Sequence, residues 1–265
     1  GLTESQAGSD ASGTRTTAVR SNGGWKVNGS KNFITHAIAC NTLVAVAVTD
    51  KTKGNRGISA FIFDKSMEGS FNAYTGPQVD WLVHSWLGNR KASILDMNAT
   101  VFLSQQNRVP HLGIIFGTIP KLYFYAEYMP RVDLRTNYDY LLKYYEPANQ
   151  EFLKFRSDPS WTRFVSHGTY LRAMMSPIAT SSHAELNDDN IGTCEKYLVK
   201  FVDRWFKWLD DADTVPERER AAQQEYDYKI RELGYRTDPM NVLPQKVLGM
   251  DEFNRRLDMR IGTRQ

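Results

Sequence analysis

The pattern of apolar and polar positions changes character about a quarter of the way along the chain. Residues 16–20, 25–27, 31–35, 43–48 and 58–63 are short β-type runs, punctuated by Asn22-Gly23-Gly24, Asn28-Gly29 and the polar stretch 50–56. Asn-Gly pairs between such runs specify tight hairpin turns, so an all-β meander with no helix of its own is predicted here. Seventy residues of meander close a core poorly. From about residue 74 onward strands and true helices alternate and aromatic residues become denser. The junction therefore falls within residues 67–77, dividing the chain into 1–71 and 72–265.

In the second part, residues 94–103 alternate strictly, with Leu95, Met97, Ala99, Val101 and Leu103 on one face and Asp96, Asn98 and Thr100 on the other. Residues 109–118 place His111, Gly113, Ile115 and Gly117 on one parity, and the two glycines allow a ligand or helix to approach that face closely. Residues 122–129 put Tyr123, Tyr125 and Glu127 opposite Leu122, Phe124, Ala126 and Tyr128. Residues 169–175 read as a fourth strand, with Tyr170, Arg172 and Met174 on one face and Ser176-Pro177 as its end. Short turns between consecutive strands imply an antiparallel sheet.

Helices are predicted over residues 137–156, 193–211, 216–233 and 251–260. The first has Asn137 as its cap and a break at Pro147, and the third has Pro216 at its first turn. Tyr197, Phe201, Trp205, Trp208 and Leu209 form an apolar stripe at helical spacing, which belongs to the core. The sum is an α+β protein with helices packed on the faces of a sheet.

Composition narrows the function classes. In 265 residues, a 41% hydrophobic fraction suffices for one large domain or two small ones. No run approaches the roughly 18 apolar residues of a membrane span and no signal layout opens the chain, so a cytoplasmic protein is expected. Cys40 and Cys194 lack metal-site or disulfide spacing, and no metal is expected. The net charge of +3 is spread along the chain, which argues against nucleic-acid binding. His84, His111, His167 and His183 show no zincin or triad spacing.

Residues 2–10, Leu-Thr-Glu-Ser-Gln-Ala-Gly-Ser-Asp, resemble the LTEPxAGSD signature of acyl-CoA dehydrogenases. Arg15-Thr16-Thr17-Ala18, the stretch Asn28 to Thr35 and Arg56-Gly57-Ile58-Ser59-Ala60-Phe61 resemble successive strands of that family's middle domain. The resemblance implies that Thr3, Phe33 and Thr35 lie beside a flavin ring and that Ser9 faces an acyl-CoA. FAD is thus the alternative cofactor. The likeness covers about a quarter of the chain. No segment matches the family's helical domains or its catalytic glutamate, so α-proton abstraction from a thioester has no agent here. The plainer reading, which is preferred, is that these strands decorate or extend a sheet or are a fusion or assembly remnant.

Between residues 71 and 260 a second resemblance appears. Gln78-Val79-Asp80-Trp81, Ser85-Trp86, Pro110-His111, Met129 to Leu134, Tyr144-Tyr145-Glu146, Tyr170-Leu171-Arg172, Ser176-Pro177, Asp238-Pro239 and Leu248-Gly249 resemble, in order, red chlorophyll catabolite reductases and ferredoxin-dependent bilin reductases. The resemblance implies an α/β/α sandwich around a central antiparallel sheet. It also implies reduction or binding of a linear tetrapyrrole, with no resident cofactor, ferredoxin as electron donor and carboxyl groups as proton donors. At Ile115 this sequence departs from the acid usual at that position, which leaves a non-catalytic ligand-binding member as a further alternative.

Two acids stand as candidate catalytic groups. Asp238 falls on the family's C-terminal aspartate, and Glu127 lies on the predicted pocket face. A turn cap and a surface or salt-bridged carboxylate are their plainer readings. Asp96, Asn98, His111, Tyr123 and Arg172 are the candidate substrate-binding residues, with a core histidine as the plainer reading of His111. Arg131 and Arg172 could hold ligand carboxylates or pair with a protein carboxylate such as Asp133 or Glu146.

Overall fold

Strict alternation in the central third of the chain becomes a continuous antiparallel ladder. The computed structural model describes residues 2–7, 10–21, 24–32, 42–64, 68–119, 121–242, 245 and 250–262. By its contacts the chain separates into two units, Gly1–Met67 and Glu68–Gln265.

The first unit holds a four-stranded sheet of β1 (Thr17–Ser21), β2 (Gly24–Asn28), β3 (Thr42–Val48) and β4 (Ile58–Asp64), in the order β2-β1-β3-β4. The hairpins β1–β2 and β3–β4 are antiparallel, but β1 lies parallel to β3, with the Val48 N–H donating to the Thr16 carbonyl at 2.7 Å. This corrects the meander. The long connection between β2 and β3 allows the parallel placement that a two-residue turn forbids. The polar stretch between β3 and β4 forms short 3-10 turns over Lys51–Gly57. There Gly57 passes so close under the Asp50 carbonyl that a Cβ would meet its oxygen at 1.8 Å. Ala18, Ala45 and Ala47 are buried, whereas Val44 and Ile62, paired across β3 and β4, are 52% and 76% exposed.

The second unit is built on a seven-stranded antiparallel sheet. In chain order its strands are β5 (Glu68–Gly76), β6 (Val79–Asn89), β7 (Ile94–Leu103), β8 (His111–Gly117), β9 (Leu122–Met129), β10 (Thr162–Arg163) and β11 (Ser182–Ala184). Their spatial order is β10-β11-β9-β8-β7-β6-β5. Strand β5 runs across the junction expected at residues 71 and 72.

Helices cover both faces, which makes this unit an α/β/α sandwich. The predicted helix over 137–156 is two, α1 (Tyr138–Tyr144) and α2 (Glu146–Ser157), with Pro147 in the first turn of α2, where its missing N–H is harmless. Asn137 sits at the start of α1 without a side-chain cap bond. The stretch 169–175 is a short helix, α3 (Thr169–Met174), and this corrects the fourth strand. Six residues between Gly168 and Pro177 are too few for the helical and strand periods to be told apart. Next come α4 (Asp188–Asp210), whose Asn187 side chain accepts the Asn190 N–H, then α5 (Glu217–Arg236) and α6 (Met250–Ile261). No described helix is long and apolar enough to cross a membrane.

One face of the sheet presents Leu112, Ile114, Leu122, Phe124 and Tyr128 to α2 and α4. Tyr128 stacks on Phe201 at 3.8 Å between ring centroids, and its hydroxyl donates to the Phe201 carbonyl at 2.7 Å. The other face is covered by α3, α5 and α6. Helix α6 ends at Gly262, whose φ of +72° brings the backbone against the Trp81 ring, where a Cβ would clash at 2.6 Å. The Trp81 indole N–H donates to the Arg260 carbonyl, which fixes that helix end on β6.

Helix α5 is clamped by buried charges. The Arg131 guanidinium donates to Asp227 through Nε and Nη2, and further to the Ser104 and Val109 carbonyls. Gln223 Nε2 donates to Asp227 and to the Arg131 carbonyl. The partner of Arg131 is therefore Asp227, not Asp133 or Glu146. Removing one member of a buried pair strands the other charge, at a typical loss of about 3–5 kcal/mol. Asp227→Ala is expected to lower the stability of the intact chain by that amount in urea unfolding. A loss under about 1 kcal/mol, the level of an exposed pair, would show that α5 is held by its apolar contacts instead.

Candidate functional site

The register of β7, β8 and β9 lines up three rows across the face under α5. They are Asp96–Gly117–Tyr123, Asn98–Ile115–Tyr125 and Thr100–Gly113–Glu127. Directly opposed residues share a face, so the alternation read from the sequence brings Asp96, Asn98, Tyr123 and Glu127 together. Strand β6 extends the rows with Leu87, Ser85 and Val83. Burial deepens from the first row, where Asp96 and Leu87 are exposed, to the third, where Val83, Thr100 and Glu127 are buried.

Glu127 is 1% exposed and, among the described residues, has no cation beside it. Its carboxylate accepts the Tyr125 hydroxyl and the Ser176 N–H. Burial pushes the Glu127 pKa up to about 7, against the opposing pull of those two donors. Burial and the Glu127 charge likewise raise the Tyr125 hydroxyl well above its ordinary range. At Gly113 a Cβ would press on Tyr125 Cε1 at 3.3 Å, so the glycine makes room for the ring beside Glu127. The result is a carboxyl that can hold or release a proton near neutrality, linked to a half-buried tyrosine hydroxyl.

Asp96 is exposed as a residue, but partial loss of hydration at its carboxyl raises its pKa, while the nearby Arg260 charge opposes the shift. Arg260 lies over the Tyr235 ring at 5.1 Å, and both its Nε and the Tyr235 hydroxyl are buried without a hydrogen-bond partner among the described residues. Tyr123 donates to or accepts from the Ser181 hydroxyl at 3.2 Å. Burial raises the Tyr123 pKa and the Asp238 charge adds to it, which puts Asp238 at the Tyr123 end of the face. The Asp238 side chain accepts the Met240 N–H at 2.8 Å and so caps the 3-10 turn Pro239–Asn241.

His111 and Arg172 are placed otherwise than expected of ligand-binding groups. His111 shares the sheet face but is 1% exposed, with Nδ1 accepting the Leu103 N–H at 2.9 Å and Nε2 3.3 Å from Asp227. Burial lowers its pKa and keeps it neutral, and the Nδ1 acceptor role places the ring proton on Nε2. His111 belongs to the α5 clamp. Arg172 sits on α3, away from the sheet face, and donates to the Ser166 carbonyl.

Tyr125 was open to discovery from its spacing two residues before Glu127. Tyr235, Arg260 and Ser176 reach the site from distant segments and carry no local signal. Among the described residues no group of three or more His, Cys, Asp or Glu could hold a metal. In the first unit, the Thr3 carbonyl accepts the Asn32 N–H, and Ser9, Phe33 and Thr35 lie outside the described residues. Glu4 is the anchor of that segment: burial would raise its pKa, but Lys31, Thr16 and two backbone N–H groups bring it down to about 2.

Comparison with known proteins follows the same division. The acyl-CoA dehydrogenase middle-domain family matches residues 1–76, and the red chlorophyll catabolite reductase family matches residues 66–255. The short-chain-specific acyl-CoA dehydrogenase of Clostridium acetobutylicum is 48% identical over 69 residues, 26% of this chain and 18% of that protein. The caffeyl-CoA reductase-Etf complex subunit CarC of Acetobacterium woodii is 54% identical over 68 residues, again 26% of this chain and 18% of that protein. The chain thus spans less than a fifth of the length of these relatives. Phytochromobilin synthase from tomato, solved in complex with biliverdin, shares the fold with a TM-score of 0.65 and 14% identity over 74% of this chain and 70% of that one. With its match running from residue 66 to 255, well over half of its length, the chain belongs to the red chlorophyll catabolite reductase family.

Proposed function

We propose that the second unit reduces a linear tetrapyrrole of the red chlorophyll catabolite or bilin type, taking electrons from ferredoxin and protons from its own side chains. The observation that carries this reading is Glu127, a buried carboxyl with a pKa of about 7, bonded to the Tyr125 hydroxyl on the sheet face beneath α5. Reduction of one double bond of a conjugated tetrapyrrole takes up two electrons, delivered singly by ferredoxin, and two protons, and a proton donor works best when its pKa lies near the working pH. Ile115 is the apolar centre against which such a ligand lies, flanked by Asn98, Asp96 and Tyr123, while the space over Gly113 is taken by the Tyr125 ring. Asp238 stands at the Tyr123 end as the second acid. With Ile115 where the family usually carries an acid, Glu127 acting through Tyr125 supplies the proton from the neighbouring strand.

A second reading rests on the 1–76 match, in which the first unit binds FAD or an acyl-CoA through Thr3, Ser9, Phe33 and Thr35. Yellow colour and flavin absorbance in the purified protein would favour it, and a colourless protein would count against it.

The main reading is tested by an absorbance titration of the full chain with biliverdin and red chlorophyll catabolite, followed by reduced ferredoxin under anaerobic conditions. A band shift on binding and bleaching on reduction are expected. Glu127→Gln should keep the shift and lose about 10²–10⁴-fold in rate, the usual contribution of a positioned acid. No spectral response to either tetrapyrrole would overturn the reading, and a shift with no turnover would identify a binding protein.

Glu127 also makes a pH prediction. Its folded pKa of about 7 lies above the ordinary carboxyl value of 4.5, so folding favours the protonated form. The stability it allows is therefore fully present below about pH 4.5 and lost as pH rises through about 7, a decline of about 3 kcal/mol. Urea unfolding of the wild type at pH 5 and 8, compared with Glu127→Gln, should show that decline in the wild type alone. Equal slopes in both proteins would place the Glu127 pKa at its ordinary value.

A further inference from the structure

A cavity of about 400 Å³ opens at the β10 end of the sheet, between α2, β10, α3 and the segment 175–181. Its size falls within the range of small-molecule sites. Three arginines, Arg156, Arg163 and Arg172, are among its lining residues, and no Asp or Glu is among those described. Arg172 donates to the Ser166 carbonyl, while the side chains of Arg156 and Arg163 form no hydrogen bond or ion pair among the described residues. Phe152, Phe164 and Met175 supply an apolar wall. Ser176 lines the same cavity, and its hydroxyl, on a residue only 6% exposed, has no hydrogen-bond partner among the described residues.

Three like charges around one concavity raise each other's energy until an anion enters, and arginine forks suit carboxylate and phosphate oxygens. A buried hydroxyl without a partner is likewise a group that a ligand atom would satisfy. The cavity adjoins the sheet face, since the Ser176 N–H donates to Glu127, but Asp96, Asn98, Tyr123 and Glu127 are not among its described lining residues. The Phe164 ring, which lines it, stands edge-on to Tyr123 at 5.7 Å and to His183 at 5.2 Å, and the Tyr123 hydroxyl meets Ser181.

We propose that this cavity is a second ligand site, separate from the tetrapyrrole face, for a small molecule that joins a carboxylate or phosphate to an apolar body. Arg156 and Arg163 hold the anionic head, Ser176 donates to it, and Phe152, Phe164 and Met175 cover the body.

The test is calorimetric titration of the full chain with phenyl phosphate, with phenol as the neutral control. Saturable binding to one site is expected, weakened by salt and absent with phenol. Arg156→Gln and Arg163→Gln should each weaken it about tenfold, the usual worth of one charge-assisted hydrogen bond. Neither arginine is paired, so both variants should fold as the wild type does, which circular dichroism checks. Saturating biliverdin should leave the binding unchanged. No saturable heat, equal binding of phenol, or binding that survives both substitutions would overturn the proposal. Displacement of phenyl phosphate by biliverdin would also overturn it, since the arginines would then serve the tetrapyrrole's own carboxylates. If phenyl phosphate binds through the arginines while no tetrapyrrole binds at all, the cavity stands and the sheet-face reading fails.

Discussion

Taking a guanidinium and a carboxylate out of water costs several kcal/mol per ion, so the Arg131–Asp227 pair survives only because nearly every polar atom it carries is matched. Asp227 receives two Arg131 nitrogens and Gln223, while the remaining Arg131 donors reach the Ser104 and Val109 carbonyls at 2.9 and 3.4 Å. The pair therefore ties together three pieces of chain: the end of β9, the middle of α5, and the connection from β7 to β8. A second buried pair, Arg231 with Asp80 at 2.6 Å, fixes the next turn of α5 to β6. Everything that covers the deep end of the sheet face hangs from these two points. Tyr235 lies one turn beyond Arg231, and Asp238 follows where the helix stops.

The same constraint separates the roles of two buried acids. Burial would raise both, yet the Asp227 pKa is lowered by the His111 ring and the Arg131 guanidinium, whereas Glu127 rises to about 7. Their donors differ in kind. Asp227 faces a full positive charge, while Glu127 receives only a tyrosine hydroxyl and a backbone N–H, which cannot offset its loss of hydration. One acid is fixed as a structural charge and the other is left able to change protonation near neutrality. Charge on α5 thus holds the scaffold, and among the described residues no charged partner fixes the protonation of Glu127.

The face beneath α5 was legible because strand alternation is a local property. Parity alone puts Asp96, Asn98, Tyr123 and Glu127 on a common side once three strands pair in sequence order. Partners far apart in the chain were not legible: Arg131 meets an aspartate 96 residues later, where nearby Asp133 and Glu146 had offered themselves. Asp133 instead closes its own turn, accepting from Arg135. His111 was read correctly by parity, yet parity does not report that a helix lies over that stretch of strand. The strand read over 169–175, which carries Arg172, is a helix because a six-residue segment fits two periods and only packing against α5 decides between them. In the first unit, hairpin signals were clear, but the parallel contact of β1 with β3 depends on a connection whose path no turn motif specifies.

Ile115 sharpens the chemical argument. It occupies the middle row of the face between Asn98 and Tyr125, where an ionisable side chain would be half-buried against β7 and β9. An isoleucine there keeps that centre apolar and places no second charge beside Glu127. Two carboxyl groups on adjacent rows would share one proton between them and push the second pKa still higher. With one carboxyl alone, the Tyr125 hydroxyl is the side-chain group bonded to Glu127, and on the proposed reading it would relay the proton toward the ligand. On the reading proposed above, the replacement at Ile115 moves the proton source by one strand and does not delete it.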